Sequence, residues 1–250
     1  MACGLFFRLF FAWIFFTLPF CYHVSANDSV HSAYRLPDHH PIKPFLDKLF
    51  STSRVILNLD SLKKAGFVYS QPRKFTNLVI ARHPALPGYI FKIYLDAQRH
   101  HKNKPEHHFW MLRVEGALRV RREIEVNNLQ EFIKVPQKWI YKLPKRPSPP
   151  KGYASKKYIL VEEDMNLLSQ TENENLWASS LVTAQHLNAV YLVLKKVGLS
   201  DCAKPDNIPF SVDGRLAFID TQTHGGDVPF DDLTSWLSTE NQAYWQQLTK

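Results

Sequence analysis

A chain of 250 residues with 31 basic and 23 acidic side chains carries a net charge of +8, and it holds three cysteines. A hydrophobic content of 45% with 13% aromatics excludes a disordered chain, a collagen and a polar low-complexity protein. The length suffices to bury a sizeable core without disulfides, as one domain or one two-lobed domain.

The elements begin with an apolar run at the N-terminus. Residues 1–8 carry one positive charge, residues 9–20 are an apolar block, and Val24-Ser25-Ala26 is a small-residue cleavage pattern. This layout predicts a secretory signal peptide over residues 1–26, hence export, with no membrane span after cleavage. Cleavage would leave about 224 residues, a charge of +7 and one cysteine, Cys202. A lone cysteine forms no internal disulfide. The positive balance favours acidic partners such as phosphates, nucleic acid or anionic lipid.

Residues 27–42 are polar and proline-punctuated and read as a flexible lead-in, and residues 44–62 suit one or two short helices. β-Branched and aromatic runs at 78–81 and 89–95 predict strands, joined through the turn-prone residues 83–88. Residues 97–108 read as a basic loop. Apolar positions at Trp110, Val114, Ala117, Leu118 and Ile124 then predict a helix from 109 to about 126. Strands follow at 139–141 and 158–161, flanking a loop rich in Pro and Lys. Residues 176–197 read as one long helix stopped by Gly198. A hairpin and a final helix carrying Trp236 and Trp245 complete an α+β pattern.

The hairpin holds the chemistry. Asp213-Gly214 between apolar runs signals a two-residue turn. That turn would set Asn207 directly opposite Asp220, at a site where cross-strand side chains approach closely. An amide and a carboxylate side by side suit a hard cation such as Mg²⁺ that also bridges phosphates.

Lys204-Pro205-Asp206-Asn207-Ile208, followed after the hairpin by Phe218-Ile219-Asp220, resembles the catalytic loop and metal loop of protein-kinase-like folds. Upstream landmarks stand in the right order. Tyr89-Ile90-Phe91-Lys92-Ile93 looks like the strand whose lysine holds the α/β-phosphates. The helix after it should carry that lysine's glutamate partner, with Glu123 favoured over Glu115 and Glu125. Residues 158–165, including Glu162 and Asp164, look like the strand and hinge that grip adenine. The resemblance implies a two-lobed kinase-like body, with a signal peptide at 1–26 and an N-terminal extension at 27–66. A small β-rich lobe would span about 67–164 and a reduced helical lobe about 165–250. It also implies ATP and Mg²⁺ as cofactors, with Asn207 and Asp220 holding the metal. Asp201 would orient the accepting hydroxyl, and Lys204 would stabilise the moving phosphoryl group.

The departures from the family pattern are specific. Cys202 stands at the position of the catalytic base, with Asp201 one residue early. The stretch 81–88, taken as the phosphate cover, has one glycine. Asp220-Thr221-Gln222 replaces D-F-G, and 30 residues follow Asp220. Two functions therefore stay open: an atypical phosphotransferase, or a degenerate pseudokinase. The alternative class is a non-catalytic module that binds a protein or other acidic partner through its basic surface.

Other groups weigh less. His100-His101 and His107-His108 have the ligand type for Zn²⁺ but lack flanking Cys or Asp, so a solvated loop is favoured. Cys202 as a nucleophile ranks below an inert core cysteine. The lysine-rich loop at 138–157 lacks a nucleic-acid motif and reads as a solvated connection.

Overall fold

The computed structural model describes residues 30–70, 78–97 and 104–250. The predicted signal peptide and the His100-His101 pair thus lie outside the described residues. In chain order the elements are α1 (Lys43–Thr52), α2 (Leu59–Lys64), β1 (Val68–Tyr69), β2 (Leu78–Arg82), β3 (Tyr89–Tyr94), α3 (Glu106–Val126), β4 (Ile133–Lys134) and β5 (Lys138–Lys142). There follow β6 (Tyr158–Glu163), α4 (Gln170–Trp177), α5 (Ala184–Val197), β7 (Leu216–Ala217), α6 (Asp231–Thr234) and α7 (Thr239–Thr249). The α+β class expected from the sequence is the class observed.

Five antiparallel strands form one sheet in the order β1-β2-β3-β6-β5, and β4 pairs in parallel with β7 in a separate ribbon. Side chains alternate across a sheet, so each strand divides its residues between two faces. Phe91, Ile93, Trp139, Tyr141, Ile159 and Val161 join one core with residues of α1 and α2. The opposite face gives Tyr94, Ile140, Tyr158 and Leu160 to a second cluster, shared with Trp110 and Val114 of α3. Farther along α3, Ala117, Val120 and Ile124 enter a third core with Trp177, α5 and Trp245. One helix thereby anchors the sheet to the C-terminal helices.

Several expectations change. Within the lead-in, Val30, Leu36 and Ile42 are buried, and Leu36 N–H donates to the Ile140 carbonyl, so this part is fixed along the sheet edge. The helix expected from residue 109 starts at Glu106, and His107 is buried inside it with its ring centroid 5.5 Å from that of Tyr158. Stretch 81–88 is the end of β2 and its turn into β3. The single helix over 176–197 is two helices, because Thr183 caps a new N-terminus by accepting from His186 N–H. Trp236 precedes α7 instead of lying within it.

The hairpin register also differs, by one residue. Ser211 N–H donates to Arg215 O at 2.9 Å, Ala217 N–H to Pro209 O at 2.8 Å and Ile219 N–H to Asn207 O at 3.1 Å. The loop has three residues, Val212-Asp213-Gly214. Its Gly214 N–H bonds back to Ser211 O, and the glycine takes φ 82°, the left-handed closure of a three-residue hairpin. The Asp213 carboxylate accepts from Ser211 Oγ and Arg215 N–H, which holds the longer loop. Asn207 therefore faces Ile219 in the ladder, not Asp220.

Candidate functional site

Three charged residues sit on the α3 side of the sheet for reasons of strand parity. Lys138 lies directly opposite Glu162, and Glu162 also faces Ile90, two residues before Lys92. Lys92 Nζ stands 3.0 Å from Glu162 Oε2, and Lys138 Nζ 3.0 Å from Glu162 Oε1. Both ammonium groups also donate to the Ile219 carbonyl, at 3.2 and 2.8 Å. The segment after the hairpin is thus fastened to the sheet by two buried lysines.

From the other side, α3 contributes Arg113. Its Nη1 donates to Asp220 Oδ1 at 2.6 Å, and Thr221 Oγ donates to the Arg113 carbonyl at 2.7 Å. Gly116, one turn along, permits this approach: a Cβ there would stand 1.9 Å from the Thr221 carbonyl oxygen. A cluster of three cations and two carboxylates results, with Lys92, Arg113, Lys138 and Glu162 all buried.

The electrostatics follow from this geometry. Burial alone would raise the Asp220 carboxyl, but the positive charges of Arg113, Lys92 and Lys138 prevail and hold it well below the ordinary carboxylate range. Glu162 is lowered in the same way, burial being outweighed by Lys138 and Lys92. Burial pushes Lys138 down to about 8 against the pull of Glu162. Cys202 is buried, its thiol raised by burial and by the Asp220 charge, and its Sγ donates to the Asp220 carbonyl at 3.0 Å. It is a core thiol rather than a nucleophile.

Lys92, Arg113, Glu162, Asn207 and Asp220 line one cleft of about 460 Å³, whose walls include Leu78, Ile80 and Ile90. Such a volume, with apolar walls and a few convergent charges, suits a small-molecule ligand. A larger hollow of about 840 Å³, lined by Lys204, Asp206, Asp232 and Trp236, adjoins it and shares Asp206 and Ile219.

Of the residues selected from sequence, Lys92, Glu162, Asn207 and Asp220 come together in the cleft. The others do not join them. Glu123 is not the partner of Lys92; it lies in the last turn of α3, where its carboxylate accepts from Asn127 Nδ2 at 3.2 Å. The helix presents a cation, Arg113, to the cluster, and the anion beside Lys92 comes from the sheet instead. Asp164 pairs with Arg82 at 2.7 Å and accepts from Asn166 N–H. Asp201, exposed, pairs with Lys204 at 2.7 Å, while the Asp201 carbonyl accepts from Asn207 Nδ2.

Arg113 and Lys138 were missed as site residues, although each left a signal. Lys138 shares its strand face with the buried Ile140. Arg113 falls three residues after Trp110 and four before Ala117, inside the apolar stripe that defines the helix. A charge within such a stripe calls for a buried partner.

A divalent cation at Asp220 would have to share the carboxylate with donors already on its Oδ1. The Asp220 carboxylate already accepts from Arg113, and from Gln222 N–H at 3.3 Å, and three cations surround two carboxylates. Among the described residues no group of three or more His, Cys, Asp or Glu is placed to hold a metal ion, and no helix is long and apolar enough to cross a membrane. Compared with known proteins, the chain matches no family model and no curated protein.

Proposed function

We propose that this chain is a two-lobed, kinase-like protein that binds a nucleotide and has lost phosphotransfer chemistry. The small lobe comprises the five-stranded sheet with α1, α2 and α3, and the helical lobe comprises α4 to α7. The observation that carries this reading is the meeting of Lys92, Glu162, Asn207 and Asp220 in one cleft. Those positions were selected from a kinase-like order of motifs, Glu162 with the adenine-gripping strand, and Lys92, Glu162 and the hairpin that carries Asn207 and Asp220 lie far apart in sequence.

Loss of chemistry is supported residue by residue. A phosphotransferase needs a free base near the acceptor and a carboxylate available to the metal. Here Asp201 is tied to Lys204, and a buried thiol occupies the base position. Asp220 is neutralised by Arg113. Export belongs to the same reading and rests on the signal-peptide pattern of residues 1–26.

Thermal shift and turnover measurements on the purified protein test the proposal. ATP should raise the melting temperature, with no transfer of phosphate to protein or water, and Lys92→Met should abolish the shift. Absence of a shift with every nucleotide, with and without metal, rejects nucleotide binding. Sustained ATP turnover rejects the loss of chemistry.

A further inference from the structure

The least expected group in the cleft is Arg113. It is buried, it lines the cavity, and its Nη1 lies 2.6 Å from the carboxylate that a kinase-like site would give to its metal. Its Nε has no hydrogen-bond partner among the described residues, although the atom is buried. A buried guanidinium N–H left unpaired is costly, so a donor in this state marks a place where an acceptor is due.

The surrounding charge points to the sign of that acceptor. Within the ion-pair cluster around Asp220, Lys92, Lys138 and Arg113 meet Glu162 and Asp220, a local excess of one positive charge. Arg82, Glu163 and Asp206 line the cleft as well, and Arg82 is already paired with Asp164. A divalent cation brought to Asp220 would enter beside a guanidinium and near two lysines, in surroundings that screen repulsion poorly. An anionic oxygen brought to the same corner would meet complementary charge. A guanidinium also presents several donors in a planar fork, which suits phosphate oxygens.

We propose that Arg113 stands in place of the divalent cation, so that the cleft takes a nucleoside polyphosphate free of metal. This rests on the nucleotide-binding reading above. Without ligand Asp220 holds Arg113 in position; when ligand arrives, phosphate oxygens take donors of the guanidinium. Magnesium then acts as a competitor, because it withdraws the same phosphate oxygens into its own coordination shell.

Calorimetric titration of the full chain with ATP, in EDTA and in excess Mg²⁺, tests this. Binding should be present in EDTA and weakened several-fold by Mg²⁺. Arg113→Gln should weaken the EDTA affinity by roughly 10-fold or more, the loss of a charge-assisted hydrogen bond. Asp220→Asn should strengthen binding in EDTA, because it releases Arg113 to the ligand. A conventional metal-holding aspartate predicts the opposite sign. If Arg113→Gln fails to fold, the metal comparison on the natural chain and the Asp220→Asn titration decide. Binding seen only with Mg²⁺, and lost in Asp220→Asn, overturns the proposal and leaves the nucleotide reading intact. Absence of binding under both conditions overturns both.

Discussion

Asp220 shows how one side chain can be assigned by position and reassigned by its neighbours. Its place after the hairpin suggests a metal ligand, yet the charges that act on it most strongly (Arg113, Lys92 and Lys138) are positive. A consequence appears in acid. The folded carboxyl titrates well below the value of about 4 expected in the unfolded chain. As the pH falls through about 4, the unfolded chain therefore takes up the proton first, and the stability contributed by the pair is lost progressively below that point. Glu162, held low by Lys138 and Lys92, adds a loss of the same sign. Urea unfolding followed from about pH 5 to about pH 2 should show a steep decline in the natural chain. In Asp220→Asn the curve should start lower and fall less steeply, since one of the cluster's two low-titrating carboxyls is gone. Equal slopes in the two proteins would show that Asp220 is not held by this pairing.

At the scale of elements, the decisive contact is α3 against the segment around Thr221. Gly116 allows it, and the oxygen a Cβ would strike belongs to the backbone, which cannot turn aside as a flexible side chain can. Gly116→Ala should cost about 1–3 kcal/mol, the usual price of overpacking. It should also separate Arg113 from Asp220, so the acid-side decline should shrink along with the stability; chemical denaturation at two pH values reads both. This contact explains what the sequence could and could not disclose. Strands β2, β3, β5 and β6 are legible because β-branched and aromatic runs report local backbone preference and burial. The body of α3 is legible from its apolar spacing. The break between α4 and α5 is not, because Leu181 keeps helical spacing while being exposed, and because His186 fills the capping-box position usually held by Glu or Gln. The hairpin was placed correctly but misread by one residue, since Asp213-Gly214 suits a two-residue or a three-residue loop and side-chain bonds to Asp213 decide between them. Asn207 and Asp220 were found through a motif, and Lys92 through its strand. Arg113 was passed over because its carboxylate lies 107 positions away in the chain.

At the scale of the molecule, the sheet is covered on both faces, and the two covers have different duties. The α3 face carries the cleft and its charges. On the other face, Leu46, Phe50, Ile56 and Leu62 of the segment read as an extension are integral to the core. A buried ion pair locks that cover in place. Arg54 Nε lies 2.7 Å from Asp96 Oδ2, Arg54 Nη2 donates to Asp96 Oδ1 and to the Lys156 carbonyl, and Lys156 N–H donates to Asp96 Oδ1. Asp96 N–H in turn donates to the Ile56 carbonyl at 2.9 Å. Removing one partner of such a pair strands the other charge in the interior, which typically costs about 3–5 kcal/mol. Arg54→Met should lower stability by that amount, and Arg54→Met combined with Asp96→Leu should recover part of it, because no charge is then left unpaired. Neither residue lines the cleft, so nucleotide affinity measured well below the melting temperature should stay within about 2-fold of the natural chain, under 0.5 kcal/mol. A large loss of affinity in Arg54→Met would show that the two faces are coupled through the sheet. Unchanged stability would show that the segment before β1 is an accessory to the fold rather than one of its walls.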